Sequence, residues 1–178
     1  DMPAGEDVTL DASQVYKLTG RVLVTDGSKL RIPAGTRIEG TGGTSAYIAV
    51  AQGGQIFVTG TAAAPVVMTS GLANPQPGDW GGVVVCGKAP TNRGATAQAE
   101  VSDLTYGGTV LDDNSGEIRY LRIEYSGAAF NSEKEFNGLS LFGVGSGTVI
   151  SHVQIHAGAD DGIEFYGGTV SASNLVMT

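Results

Sequence analysis

Cysteine is almost missing from this chain: Cys86 stands alone among 178 residues, so no disulfide within the chain can hold the fold together. Basic residues are also scarce. Ten Lys and Arg face 18 Asp and Glu, for a net charge of −8, and the ten are scattered. Nothing here neutralises a run of phosphates, which excludes nucleic acid as a partner. No apolar run approaches the ~18–20 residues that carry a helix across a bilayer, so no transmembrane segment is expected. A charged-then-apolar leader is missing too, and the chain reads as mature or as having lost its address. Finally, no stretch keeps a 3.6-residue apolar period for three turns, which leaves almost no helix.

What the chain has in abundance is glycine, 28 residues, set between short apolar runs of alternating pattern. The segment GRVLVTDGSKLRIP (20–33) returns 26 positions later as AYIAVAQGGQIFVT, placing Val22, Val24, Leu30 and Ile32 on Ile48, Val50, Ile56 and Val58. Val83 and Val85 follow 27 residues beyond Ile56 and Val58, and NGLSLFG (137–143) returns 24 residues later as DGIEFYG. Ile118, Leu121 and Ile123 are echoed by Ile150, Val153 and Ile155, then by Ala172, Leu175 and Met177. A period in the twenties built from strands with one buried face is the pattern of a solenoid. Asn137-Gly138 and Asp161-Gly162 occupy equivalent places in the repeat, as corners of a coil do, rather than separating paired hairpin strands. The fold class expected is therefore all-β, a right-handed single-stranded parallel β-helix with about three short strands per coil. With 41% hydrophobic and 16% charged residues the chain can bury a core, which excludes a glycine-rich disordered polymer.

One domain, 1–178, is expected from the length. Residues 1–19 read as a terminal strand and polar cap. Residues 87–116 lose the alternation and read as a long lateral loop, either a binding loop or a cover for a sheet face; residues 128–136 form a shorter excursion. Cys86 sits among core valines in VVVCG and reads as an inert packed thiol. Trp80, in DWGG, is expected to cover a corner of one coil.

The segments IPAGTRIEG (32–40), GGQIFVTGTAAAPVVMTS (53–70), PGDWGGVVVCGKAP (77–90), DDNSGEIRYLRIEYSG (112–127), NGLSLFGVGSGT (137–148) and ADDGIEFYGGTV (159–170) carry a resemblance over nearly the whole chain. It resembles a family of secreted or surface-anchored proteins of Gram-negative bacteria, Bacteroidetes among them, of unassigned function. The resemblance implies a right-handed parallel β-helix and an extracellular or outer-surface location. Family members continue with further coils beyond the ADDGIEF segment, whereas this sequence stops inside an apolar run at Val176-Met177-Thr178. It is thus expected to be a fragment with an open C-terminal coil, or to be covered there by another chain or copy.

Carboxylates are the chemistry on offer. Asp160, Asp161 and Glu164, with Glu124, Asp112, Asp113, His152 and His156, make up the richest acidic neighbourhood. Ile163 and Phe165 are expected inward and Glu164 outward; Glu124 and His156 are expected outward and stacked, so that a line of carboxylates forms along one face. Three readings compete. The line is a solvated face of a structural or binding solenoid, with Asp160 and Asp161 shaping a corner. Or Asp160, Asp161, Glu164, Asp112 and Asp113 hold calcium, a cation that is not required by the fold but suits oxygen ligands at turns. Or the chain is part of a polysaccharide-degrading enzyme: the Asp-Asp strand end resembles that of polygalacturonase-like hydrolases, with Asp160, Asp161 and Glu164 as acid and base. A lyase would also need an Arg or Lys base, for which Arg119 and Arg122 lie on different faces or across a bend. Tyr106, Tyr120, Tyr125 and Tyr166 could stack on sugar rings, and Glu124, His156, Tyr106, Tyr125 and Tyr166 are the binding candidates. The reading preferred at this stage is an extracellular structural or binding module for polysaccharide or another surface protein, self-associating through the open coil.

Overall fold

The computed structural model describes residues 1–132 and 134–178. A first partial coil holds β1 (Asp7–Thr9) and β2 (Val15–Leu18). The next contains β3 (Val22–Val24), β4 (Lys29–Pro33) and β5 (Arg37–Gly40), and the one after it β6 (Ile48–Val50), β7 (Gln55–Thr59) and β8 (Val66–Ser70). Then come β9 (Val83–Cys86), a lateral hairpin of β10 (Ala97–Gln98) and β11 (Thr105–Tyr106), and the long β12 (Gly116–Glu124). A second hairpin, β13 (Ala129–Asn131) and β14 (Lys134–Glu135), precedes β15 (Leu139–Phe142) and β16 (Val149–His156). The last coil holds β17 (Ile163–Tyr166) and β18 (Ala172–Met177). Among the described residues there is no helix.

Strands of successive coils pair in parallel, which makes the molecule a parallel β-helix. One sheet stacks β3, β6, β9, β15 and β17. The other, of nine strands, carries the remaining two sides of each coil. In the early coils those two sides are separate strands, β4 and β5 or β7 and β8. From β12 onward they fuse: β12 pairs with β7 through residues 116–119 and with β8 through residues 121–123. The bend between is a single left-handed residue, Tyr120 (φ 48°), repeated one coil on by His152 (φ 55°) and then by Asn174 (φ 56°). That bend is what sets Arg119 and Arg122 on different sides of the coil.

The repeat read from the sequence sets the register in most places: Val22 pairs with Ile48, Leu30 with Ile56, Leu139 with Ile163 and Leu121 with Val153. One alignment is corrected. Val83 and Val85 stack on Ile48 and Val50, not on Ile56 and Val58, whose partners are Gly116 and Ile118. The irregular connection between β8 and β9 lengthens this coil, so counting by a fixed period slips from one side of the coil to the next.

Inward residues form a continuous core, among them Val24, Ile32, Ile56, Val83, Leu121, Leu139 and Ile155. Trp80 belongs to this core, its indole N–H donating to the Glu124 carbonyl at 2.8 Å. Gly40 is required beside it, since a Cβ there would lie 2.7 Å from the Trp80 Cβ.

The outward side of the five-stranded sheet is also apolar, through Leu23, Ala49, Val84, Cys86 and Phe142, and the lateral loop covers it with Ala99, Val101 and Tyr106. The loop is thus partly ordered as a hairpin and buries a second, smaller core. The Gln52 side-chain amide fixes its two ends, donating to the carbonyls of Gly87 (2.8 Å) and Gly107 (2.7 Å). Arg21 bridges its tip at Asp103, 3.1 Å away. Cys86, sealed beneath it, has its thiol pushed up to about 12 by burial, as an inert thiol should. The shorter excursion forms the β13–β14 hairpin, with Glu133 outside the described residues. At the last coil, Phe165, Val176 and Met177 are exposed along the edge strands β17 and β18.

Candidate functional site

The parallel stack places β15 beside β17, with Leu139 on Ile163, Ser140 on Glu164 and Phe142 on Tyr166. Ile163 turns into the core, so alternation sends Glu164 and Tyr166 outward, toward the lateral hairpin. There the strand and the hairpin meet. The Tyr166 hydroxyl lies 2.9 Å from Glu100 Oε2, on the tip of the hairpin, and in close hydrogen-bond contact with Glu164 Oε2. Asn137, at the corner before β15 and 2% exposed, donates from Nδ2 to the same Glu164 oxygen at 2.7 Å. Its Oδ1 is buried and has no hydrogen-bond partner among the described residues.

Ring packing fixes the tyrosine. Tyr166 stacks on Phe142 with centroids 4.0 Å apart and planes 12° apart, and Phe142 packs in turn on Tyr106 at 5.1 Å. An open cleft of about 480 Å³ lies over this group, lined by Arg93, Gln98, Glu100, Tyr106, Phe142 and Tyr166. Burial, with the Glu164 and then the Glu100 carboxylate as hydrogen-bond acceptors, raises the Tyr166 phenol far above its ordinary range, so it remains a proton donor at every physiological pH.

Of the residues singled out in the sequence, Glu164, Tyr166 and Tyr106 come together here. The others lie elsewhere. Glu124 is on the nine-stranded sheet, accepting from Thr69 Oγ1 at 2.7 Å and pairing with Arg122 at 2.6 Å, so the expected single line of carboxylates is not formed. His156 does stack on Glu124 in register, and packs edge-on against Tyr125 at 6.1 Å, at the next corner of the coil. Asp160 and Asp161 are exposed at the turn before β17. Asp112 and Asp113 lie in the turn before β12 beside Gly145 and Gly147, and Asp113 is buried next to the Ser115 hydroxyl. Among the described residues, no three of His, Cys, Asp and Glu gather closely enough to hold a metal ion.

Glu100 and Asn137 were not singled out as functional. Glu100 lies in the irregular loop, where no period predicts which side chain returns to the sheet. Asn137 was visible as the corner partner of Asp161, and their shared corner position was the available signal.

Strands of successive coils stacked in parallel define the class of parallel β-helix proteins. The chain belongs to the family described as the pectate-lyase-like β-helix domain, whose model matches residues 3–178. Comparison with curated proteins and with solved structures gives no significant match.

Proposed function

We propose that this domain binds a neutral polysaccharide across the five-stranded sheet and hydrolyses it with the Glu100–Glu164 pair. The observation that carries the reading is the meeting of both carboxyl groups at one phenol oxygen. A hydroxyl has a single hydrogen to give. That hydrogen is shared between the two carboxyl groups and holds them as a pair. Asn137 Nδ2 also holds Glu164 in place, which gives Glu164 the nucleophile's role and Glu100, on the hairpin tip, the proton donor's.

Two hydrogen bonds meeting at one atom keep the carboxyl oxygens within about 5–6 Å of each other, the spacing of a retaining rather than an inverting glycosidase pair. In such a step Glu100 protonates the leaving oxygen as the glycosidic bond breaks, and Glu164 takes the anomeric carbon. Water then releases the sugar, with Glu100 accepting the proton. Tyr166 is a positioning residue. Among the described residues, Arg93 is the single cation lining the cleft. Two carboxylates against one guanidinium disfavour a polyuronate, and a lyase reading with it. Family membership supports carbohydrate chemistry in general, and the extracellular or cell-surface setting is part of the same proposal.

The test is incubation with soluble glucan, xylan and mannan, reading new reducing ends. Glu164→Gln and Glu100→Gln should each cut the rate by about 10²–10⁴-fold. Absence of both cleavage and binding sinks the proposal. Binding without cleavage favours a second reading, a pure binding module, for which the Tyr166 hydroxyl lying between the two carboxyls speaks. Calcium at the Asp160–Asp161 corner is a separate proposal: a calcium-dependent rise in melting temperature that both Asp→Asn changes abolish would support it.

A further inference from the structure

A groove of about 440 Å³ follows the bend of the nine-stranded sheet, not the five-stranded sheet that carries Glu164. Two rows of side chains from three successive coils line it: Tyr120, His152 and Asn174 at the bend, and Arg122, Gln154 and Val176 two residues on. Between the rows Leu121 and Val153 turn into the core. The Tyr120 and His152 rings stack with centroids 4.3 Å apart and planes 18° apart. The bend itself needs neither ring. Asn174 makes the same turn at φ 56°, and a short polar side chain suits a left-handed position; a bulky tyrosine, here at φ 48°, is an outlier there. Residues held in this way gather at ligand sites.

Main-chain pairing is closed to a guest in this groove. β12 lies between β7, β8 and β16, and β16 lies between β12 and β18, so neither strand has an open edge. The guest must bring a backbone that seeks no strand partner. A polyproline II helix does so, since it makes no internal hydrogen bonds and docks in aromatic-lined grooves through its rings and carbonyls. One of its turns rises about 9.3 Å. Two strand spacings, from Tyr120 past His152 to Asn174, come to about 9.4–9.8 Å, so each turn of the peptide meets an equivalent step of the groove. Among the described residues, no carboxylate lines the groove, which suits a ligand rich in carbonyl oxygens. We infer that the groove binds a proline-rich segment of a partner protein, with Tyr120 and His152 packing on its proline rings and Gln154 donating to its carbonyls. The inference is independent of the polysaccharide reading.

Fluorescence anisotropy with labelled decaproline tests it, against a Gly-Ser peptide of equal length. Decaproline should bind saturably and at least tenfold tighter than the Gly-Ser peptide. Tyr120→Asn and His152→Asn keep a residue suited to the bend, as at Asn174. Each should weaken decaproline about threefold to tenfold while the melting temperature stays unchanged or rises. A melting temperature that falls in both variants makes the ring stack a stabilising part of the coil and overturns the inference. Decaproline affinity no better than that of the Gly-Ser peptide, or unmoved by both substitutions, overturns it too. Soluble glucan that binds where decaproline does not, and is lost with Tyr120→Asn, gives the groove to sugar and has the same result.

Discussion

The Trp80 indole is the best measure of how much one residue carries. It is buried in the core, it bonds the Glu124 carbonyl at 2.8 Å, and it forces Gly40 to lack a Cβ. Trp80→Phe removes the donor and leaves that carbonyl without its indole partner, at an expected cost of about 1–3 kcal/mol. Gly40→Ala drives a Cβ into the Trp80 Cβ and Cγ and should cost about 1–3 kcal/mol as well. Phe keeps those two carbons, so Trp80→Phe does not relieve that clash, and the double variant should be less stable than either single one in denaturant melts. The sequence places Trp80 at a corner of one coil. Its partner Glu124 is 44 residues away, and no local pattern announces it.

At the scale of elements, the lateral hairpin covers a sheet face, one of the two roles the sequence offers for it. Its apolar residues, Ala99, Val101 and Tyr106, cover Val84, Cys86 and Phe142, and its tip brings Glu100 to Tyr166. Deleting residues 95–106 should uncover the sheet without unfolding the coils, because the main core lies on the other side of the strands. Cys86 reports on this directly. Buried, with its thiol pushed up to about 12, it should resist alkylation at pH 8; in the deletion variant it should react readily, its acidity restored toward the ordinary thiol range. Continued protection would mean that something other than the hairpin seals it. The strands themselves were legible because their apolar residues alternate. The hairpin was not, since two-residue strands leave no period to detect.

For the whole molecule, the outer face of the nine-stranded sheet is tied by ion pairs between neighbouring strands. Glu39 is held below its ordinary range by hydrogen bonds from Lys17 and then Arg37, and Asp7 by Arg31. Groups depressed in the folded state stabilise it fully above their unfolded values, near pH 4–4.5, and lose that contribution as pH falls through the lower folded values. The melting temperature should therefore decline below about pH 4.5, and Glu39→Gln should flatten part of that decline. A melting temperature constant from pH 6 to pH 3 would count against this account.

The sequence by itself determined the stacking. Alternating apolar residues recurring every coil can be buried only by laying strand on strand in register, and that requirement is local enough to read from spacing. The tertiary structure alone decided which side chains share a site. Irregular connections lengthen some coils and not others, so the phase of the repeat drifts, as it did for Val83. The carboxylates of Glu124 and Glu164, which the sequence grouped, are separated by the bend from one sheet to the other. Glu100 and Glu164, 64 residues apart and in unlike surroundings, are brought together because the hairpin must fold down to bury the outward face of β9 and β15.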